Sequence, residues 1–335
     1  MTVVDAPPLR TTPAPACRRC GAAGHVRHAA LADRILAAPG TWSVRACDRC
    51  RLTWLDPQPH PEDIGRLYEG AYMTHAASAA DAQVSDRTRR YLATHYGYAG
   101  AGGSWLPATR LVDDQLGGRV CWLPARPSGT VLDMGCGSGA FLARMRALGW
   151  QVAGVEPDPA AAAAARDVHG LEVATDIAAF GDRTFEAITM HHVIEHLPDP
   201  HATVADLARR LTAGGRLVIV TPNIQSLGSR RYGADWVHWD PPRHLWMFSR
   251  PSLRAVAEQA GLQVERAFTT GRYARFVGSA STQIRQTRRV RDGAPSMGDR
   301  VTGLLFQGVE AVAAMTDADA GEEVVVVAAR PAATA

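Results

Sequence analysis

The stretch from Thr130 to Glu156 constrains this chain more than any other part of it. Residues 130–134 are a short apolar run of strand length, and Gly135-Cys-Gly-Ser-Gly139 is a loop carrying three glycines. Residues 140–148 read as a helix stopped by Gly149, and residues 151–156 as a second strand. A strand, a tight glycine turn, a helix and another strand form a βαβ unit, which predicts a parallel sheet with helices on its faces. Glycines let backbone amides come close to a ligand, and the helix N-terminus favours an anionic group. Glu156 ends the second strand where an acid can accept from both hydroxyls of a ribose. Loop and acid together predict a nucleoside-cofactor site, without choosing the nucleoside.

Composition narrows the chemistry further. All 36 basic residues are arginine. Without lysine there can be no Walker-type phosphate loop and no lysine Schiff base. The net charge of +3 does not by itself imply nucleic acid. No apolar run approaches the ~20 residues needed to cross a bilayer, and the N-terminus lacks a basic-then-apolar leader, so a cytoplasmic protein is expected.

Six cysteines divide the chain. Cys17-Arg-Arg-Cys20 and Cys47-Asp-Arg-Cys50 are paired knuckles with 26 residues between them. Four thiolates at ~2.3 Å satisfy a tetrahedral zinc ion with no position left for water, so Cys17, Cys20, Cys47 and Cys50 predict a structural zinc site. The spacer has room for a hairpin or a short helix over residues 31–36. Residues 61–69, 84–98 and 109–116 read as helices, and the Gly/Pro stretches 100–107 and 124–129 as linkers. Cys121 is expected in the core.

Gly135-x-Gly137-x-x-Ala140 fits the dinucleotide fingerprint, so a nicotinamide dehydrogenase and an S-adenosylmethionine enzyme are both open on the loop alone. The wider context separates them. Val131-Leu-Asp133-Met-Gly-Cys-Gly-Ser-Gly139, Val155-Glu-Pro-Asp158, His192-Val-Ile-Glu-His-Leu-Pro-Asp-Pro200, Gly214-Gly-Arg-Leu-Val-Ile-Val-Thr-Pro-Asn223 and Asp240-Pro-Pro-Arg-His244 follow in order. Together they resemble the class I S-adenosylmethionine-dependent methyltransferases, in the branch of the ubiquinone-biosynthesis O-methyltransferases. The resemblance covers residues 130–270 and, less fully, 17–60. It implies an α/β, Rossmann-like sheet of seven strands with the last antiparallel. Residues 262–269 and 324–329 are offered as its final pair, with a helix over 300–315 between them. The implied organisation is a zinc module (1–70), a helical linker or cap (71–128) and a methyltransferase domain (129–335) with an insertion at 271–320.

Carried over position by position, the resemblance implies that Gly135, Cys136, Gly137 and Gly139 present backbone to the methionine part of the cofactor. Asp133 would fix the loop and the cofactor's amino group, and Glu156 the ribose. Asp176 would meet the adenine or cap the helix that follows it, and His191 would pack against the cofactor. Methyl transfer from a sulfonium needs in-line alignment and removal of a proton from the acceptor, a task suited to histidine. His192, His196 and His244 are the candidate bases. His192-x-x-Glu195-His196 also spells a metalloprotease motif, but Pro198 and Pro200 deny it the long helix it needs. Trp236, Trp239 and Arg243 are expected to line a substrate pocket. Segment 271–300 holds seven arginines against two acids and reads as a solvated loop or a phosphate-holding surface.

The expected partner is a small-molecule substrate, a natural-product or sugar intermediate, methylated at oxygen. Two further readings stand beside it, a zinc-module RNA methyltransferase and a non-catalytic cofactor-binding scaffold. Residues 1–70 carry nine arginines against seven acids with no basic stripe, which weighs against RNA. Nothing in the sequence sets the oligomeric state.

Overall fold

The fold is described from a computed structural model, over residues 9–68, 78–100, 102–291 and 293–332. The expected module boundary at residue 70 and the extreme N-terminus lie outside the described residues.

The two knuckles fold as near copies. Cys17 N–H bonds to Ala22 O and Gly21 N–H returns to Cys17 O, while Cys47 N–H bonds to Leu52 O and Arg51 N–H to Cys47 O. The fifth residue of each turn is left-handed, Gly21 at φ 71° and Arg51 at φ 61°, so only the first has the residue that takes this conformation without strain. Around them run β1 (Thr11–Thr12), β2 (His25–Leu31), β3 (Trp42–Ala46), β4 (Thr53–Asp56) and β5 (Gln58–Pro59), followed by a 3₁₀ turn, Pro61–Tyr68. The spacer between knuckles is therefore a β2–β3 hairpin. No helix forms at residues 31–36, because Asp33 accepts from the backbone N–H of Ile35, Leu36 and Ala38 and closes a turn.

Two helices follow. Helix α1 (Asp86–Tyr96) is capped by Ser85 and ends at left-handed Gly97, and α2 is Arg110–Leu116. The alternating part then runs β6 (Thr130–Met134), α3 (Ala140–Ala147), β7 (Gln151–Val155), α4 (Pro159–His169), β8 (Val173–Ala174), β9 (Phe185–His191), α5 (Pro200–Arg209) and β10 (Leu211–Pro222). It closes with α6 (Leu227–Tyr232), β11 (Trp246–Met247), α7 (Arg250–Gln259), β12 (Gln263–Thr270), α8 (Ala274–Thr287), α9 (Met297–Ala313) and β13 (Glu323–Ala329).

Seven strands form one sheet in the order β12-β13-β10-β9-β6-β7-β8, and β13 runs antiparallel to both neighbours. The expected α/β sheet with its last strand antiparallel is present. Its central strands are apolar on both faces, as burial between two helix layers requires: Val131, Leu132, Ile188, Leu217, Val218 and Val326 are shut off from solvent. Much of the arginine-rich segment is not a loop. Helix α8 packs Val277, Ala280 and Ile284 inward, and Gly278 allows its backbone to lie close against Phe306 of α9.

The N-terminal strands are joined to this domain. A second sheet has the order β11-β4-β3-β2, in which Trp246 pairs with Trp54 and Met247 with Thr53. Cys17, Trp42, Val44 and Trp54 share one apolar core with Leu132, Ile188 and Phe248. Among the described residues no helix is long and apolar enough to cross a membrane.

Candidate functional site

The carboxyl ends of the parallel strands gather the residues singled out above. The glycine loop leaves β6 with Gly135, Gly137 and Gly139 all at positive φ, and Gly139 opens α3. Gly135 and Cys136 both donate to Val155 O, at 2.7 and 3.0 Å, which folds the loop over the end of β7. A Cβ on Gly135 would stand 2.5 Å from the Val193 side chain, and one on Gly139 2.5 Å from Leu171, so the loop has no room for larger residues. Glu156 follows β7. Its Oε2 accepts from Gly137 N–H at 2.8 Å and its Oε1 from Asp158 N–H at 2.9 Å, which ties carboxylate and loop together.

Asp133 lies beneath the loop, accepting from the Thr189 hydroxyl at 2.6 Å. Burial pushes its carboxyl up to about 7, with the charge of Glu156 adding to the rise. Burial also raises the Cys136 thiol, so it is not a thiolate at neutral pH. Asp176 is exposed two residues beyond β8, on the same edge as Glu156, and caps a short 3₁₀ turn by accepting from Ala178 N–H at 2.7 Å.

The next strand delivers the histidines. His191 ends β9, and His192 is bent into the left-handed region at φ 55°. That bend places its ring between two carboxylates, Glu195 at 3.2 Å from Nδ1 and Glu323 at 2.7 Å from Nε2. Burial opposes charging this ring, but the bonds to Glu195 and Glu323 outweigh it and hold His192 well above its ordinary range, as an imidazolium. The same pairing pulls both carboxyls far below theirs, against the cost of burial. Glu195 also accepts from the Thr221 hydroxyl at 2.8 Å.

His196 differs. Burial, reinforced by His244, lowers it to about 4, so it is neutral. Its Nδ1 stands 2.8 Å from the Tyr68 hydroxyl and 3.1 Å from Arg243 O. His244 donates from Nδ1 to His238 O at 2.7 Å, and its ring lies edge-on to His196 with centroids 4.7 Å apart. His238 is brought down to about 3, chiefly by burial. Tyr273 completes the cluster, its ring 5.2 Å from that of His192.

The three expected pocket residues are buried. Trp236, Trp239 and Arg243 are at most 2% exposed, and the two tryptophans border a small cleft with Leu31, Ile35 and Ile284. Arg243 is committed to two carboxylates: its Nη atoms donate to Asp33 at 2.9 and 2.7 Å, and its Nε and Nη2 to Asp240. A buried guanidinium needs such partners, and the paired arrangement leaves it little with which to meet a substrate. Trp239 stacks edge-on against His28 of the β2–β3 hairpin. The sequence motifs missed Glu323, Tyr273 and Tyr68, each remote in the chain from the histidines, and also His238, which accepts from His244.

The cysteines converge. Cys17 and Cys50 Sγ are 3.3 Å apart, Cys20 and Cys47 3.5 Å, and all four lie within 4.8 Å of one another. These separations far exceed a disulfide bond. They approach the ~3.8 Å between ligands of a tetrahedral ion bound at ~2.3 Å. Burial raises the Cys17 and Cys50 thiols, whereas at Cys47 the Cys50 N–H and the neighbouring thiols outweigh burial and lower it to about 7. The donor set fits zinc.

Comparison with known proteins agrees with this geometry. Residues 111–267 match a family described as a methyltransferase domain. A ubiquinone biosynthesis O-methyltransferase of Xanthomonas axonopodis pv. citri is 33% identical over 166 residues, 44% of this chain and 69% of that protein. This chain belongs to the class I S-adenosylmethionine-dependent methyltransferases. The namesake enzyme of Xanthomonas oryzae pv. oryzae is 34% identical over 151 residues, 40% of this chain, and the match spans 63% of that relative's length. Two solved structures are similar at a lower level. A methyltransferase in complex with the Haloferax volcanii Trm112 activator has 19% identity and a TM-score of 0.45, covering 65% of this chain and 90% of its own. Geranyl diphosphate C-methyltransferase of Streptomyces coelicolor has 18% identity and a TM-score of 0.42, covering 62% and 71%.

Proposed function

We propose that this methyltransferase transfers a methyl group from S-adenosylmethionine to a hydroxyl oxygen of a small molecule, and that its four cysteines hold a structural zinc ion. One observation carries the reading. The loop Gly135–Gly139 with Glu156 stands at the ends of β6 and β7, and the histidine cluster at the end of β9, the strand paired with β6 on its other side. Cofactor-type loop and proton-handling groups therefore share one edge.

When bound, S-adenosylmethionine supplies an activated methyl group on a sulfonium. The chain's own residues do the rest. Backbone amides of Gly135, Gly137 and Gly139 line the methionine part, Asp133 receives its ammonium, and Glu156 exchanges its bonds with Gly137 and Asp158 for the ribose hydroxyls. Asp176, on the same edge, meets the adenine, and His191 packs against the cofactor.

The three candidate bases separate by environment. His192 already carries its proton between Glu195 and Glu323, so it holds the turn and cannot accept another. His196 is neutral, and with Nδ1 directed at Arg243 O its Nε2 is left as the proton acceptor. His244 stands beside it and fixes its ring.

Calorimetry with S-adenosylhomocysteine and NAD, followed by transfer of labelled methyl to a pool of hydroxylated small molecules, tests this. Tight binding of the homocysteine nucleoside with label in product is the expected result. Binding of NAD alone would overturn it, and label entering RNA with a steep salt dependence would move the acceptor to nucleic acid.

A further inference from the structure

The geometry points to a working role for the N-terminal cysteine module in the reaction centre: it sets the orientation of His196 through Tyr68, Asp33 and Arg243. This rests on the proposed function for its meaning, and on contacts alone for its substance.

Three connections run from the module to the histidines. The first is direct. Tyr68, the last residue of the 3₁₀ turn that follows β5, places its hydroxyl 2.8 Å from His196 Nδ1. The second is ionic. Asp33, in the turn of the β2–β3 hairpin, holds Arg243 by two bonds with neither side chain exposed, and the carbonyl of Arg243 faces the same His196 Nδ1 at 3.1 Å. The third is a strand joint. Leu55 N–H of β4 bonds to Leu245 O at 3.0 Å, and Leu245 N–H bonds to Glu195 O at 2.8 Å, so the segment carrying Arg243 and His244 is fastened on one side to the module and on the other to the histidine turn. Trp246, paired with Trp54, donates from its indole to Leu197 O at 2.8 Å and closes the same joint.

Tyr68, Asp33 and Arg243 are therefore positioning residues. With its hydrogen on Nδ1, His196 donates to the Arg243 carbonyl and the Tyr68 oxygen together, and its Nε2 lone pair is left open. The Tyr68 oxygen stands at the same nitrogen and bounds the ring's rotation. Around His196 the charged and titratable groups are Glu195 from its own turn, His244, Asp240 and Arg243 from the segment after α6, and Tyr68 from the module. An ion seated on the cysteines holds the hairpin that carries Asp33. Its loss would loosen the ring's surroundings while the glycine loop, anchored on β6 and β7, stays in place.

The test uses the full chain with labelled histidine, its ring signals followed by nitrogen NMR across pH, with and without S-adenosylhomocysteine. His196→Gln assigns the signal. Stripping metal with a chelator is expected to raise the His196 titration toward the ordinary ~6.5 and to mix its tautomers. Affinity for S-adenosylhomocysteine is expected to change by less than about twofold, under ~0.4 kcal/mol. Tyr68→Phe, which keeps the ring and the metal, is expected to move the His196 nitrogen signals alone. An unchanged His196 signal in both states overturns the inference. If chelation unfolds the chain, Tyr68→Phe in metal-loaded protein decides by itself, in the same two directions. Failure of S-adenosylhomocysteine to bind at all would sink the proposed function, while the His196 signal in the free protein still answers this question.

Discussion

At the scale of single residues, the proposed cofactor site turns on two carboxyls in opposite conditions. Asp133 is buried with one hydroxyl donor and titrates at about 7, whereas Glu156 accepts from two backbone N–H groups. A cofactor ammonium beside Asp133 favours its ionised form, so binding must release the proton Asp133 carries below that pH. Affinity for S-adenosylhomocysteine is thus expected to fall by up to tenfold per unit as pH drops below about 7. Asp133→Asn should flatten this dependence, and calorimetry in buffers of different ionisation enthalpy would count the proton. Glu156→Ala removes two charge-assisted bonds to the ribose, worth together about 3 kcal/mol or more, so affinity should drop at least about a hundredfold. Unchanged affinity would remove Glu156 from the ribose. The placing of loop and acid at the strand ends was legible because loop, acid and helix lie within one short βαβ unit, where the spacing is local. Arg243 was not. An arginine beside tryptophans reads as pocket lining until Asp33, 210 residues away along the chain, is known to be its partner.

Elements are held together at the site by charge as much as by packing. The His192 ring joins the end of β9 to the start of β13 through Glu323 and to the following turn through Glu195. Because His192 is raised in the folded state, its contribution is complete below its unfolded value of ~6.5 and is lost as pH rises through the folded value. Glu195 and Glu323 are depressed, so theirs is complete above ~4.3 and is lost as pH falls through their folded values. The clasp is therefore at full strength between these limits. His192→Gln strands two buried carboxylates and should destabilise by about 3 kcal/mol there. The gap from wild type should narrow at alkaline pH, read from urea midpoints across pH; a constant gap would show that packing, not charge, is lost. Strand β6 and the antiparallel β13 were visible in advance because short apolar runs, valine-rich in β13, suit strands buried on both faces. Helix α8 was hidden by arginines on its outer face, since charge in a segment masks a periodicity that only the inward residues Val277, Ala280 and Ile284 reveal.

For the whole molecule, the cysteine knuckles read in sequence as a module of their own, and the structure joins that module to the rest. The strand joint at Trp54–Trp246 extends the hairpin sheet with a strand from between β10 and α7, and the apolar core runs unbroken from Trp42 to Phe248. Units that share a sheet and a core have no interface along which to separate, so their unfolding is coupled. An ion held by the cysteines would then be linked to the entire native state, since binding that requires folded ligands adds its free energy to folding. Calorimetry of metal-loaded protein should show one endotherm, with the calorimetric and van't Hoff enthalpies equal. Chelation should lower that single transition as a whole. A separate low-temperature transition that alone responds to chelation would mean that the hairpin melts independently, and that the joint at Trp54–Trp246 is too weak to transmit the state of the cysteines to the histidines.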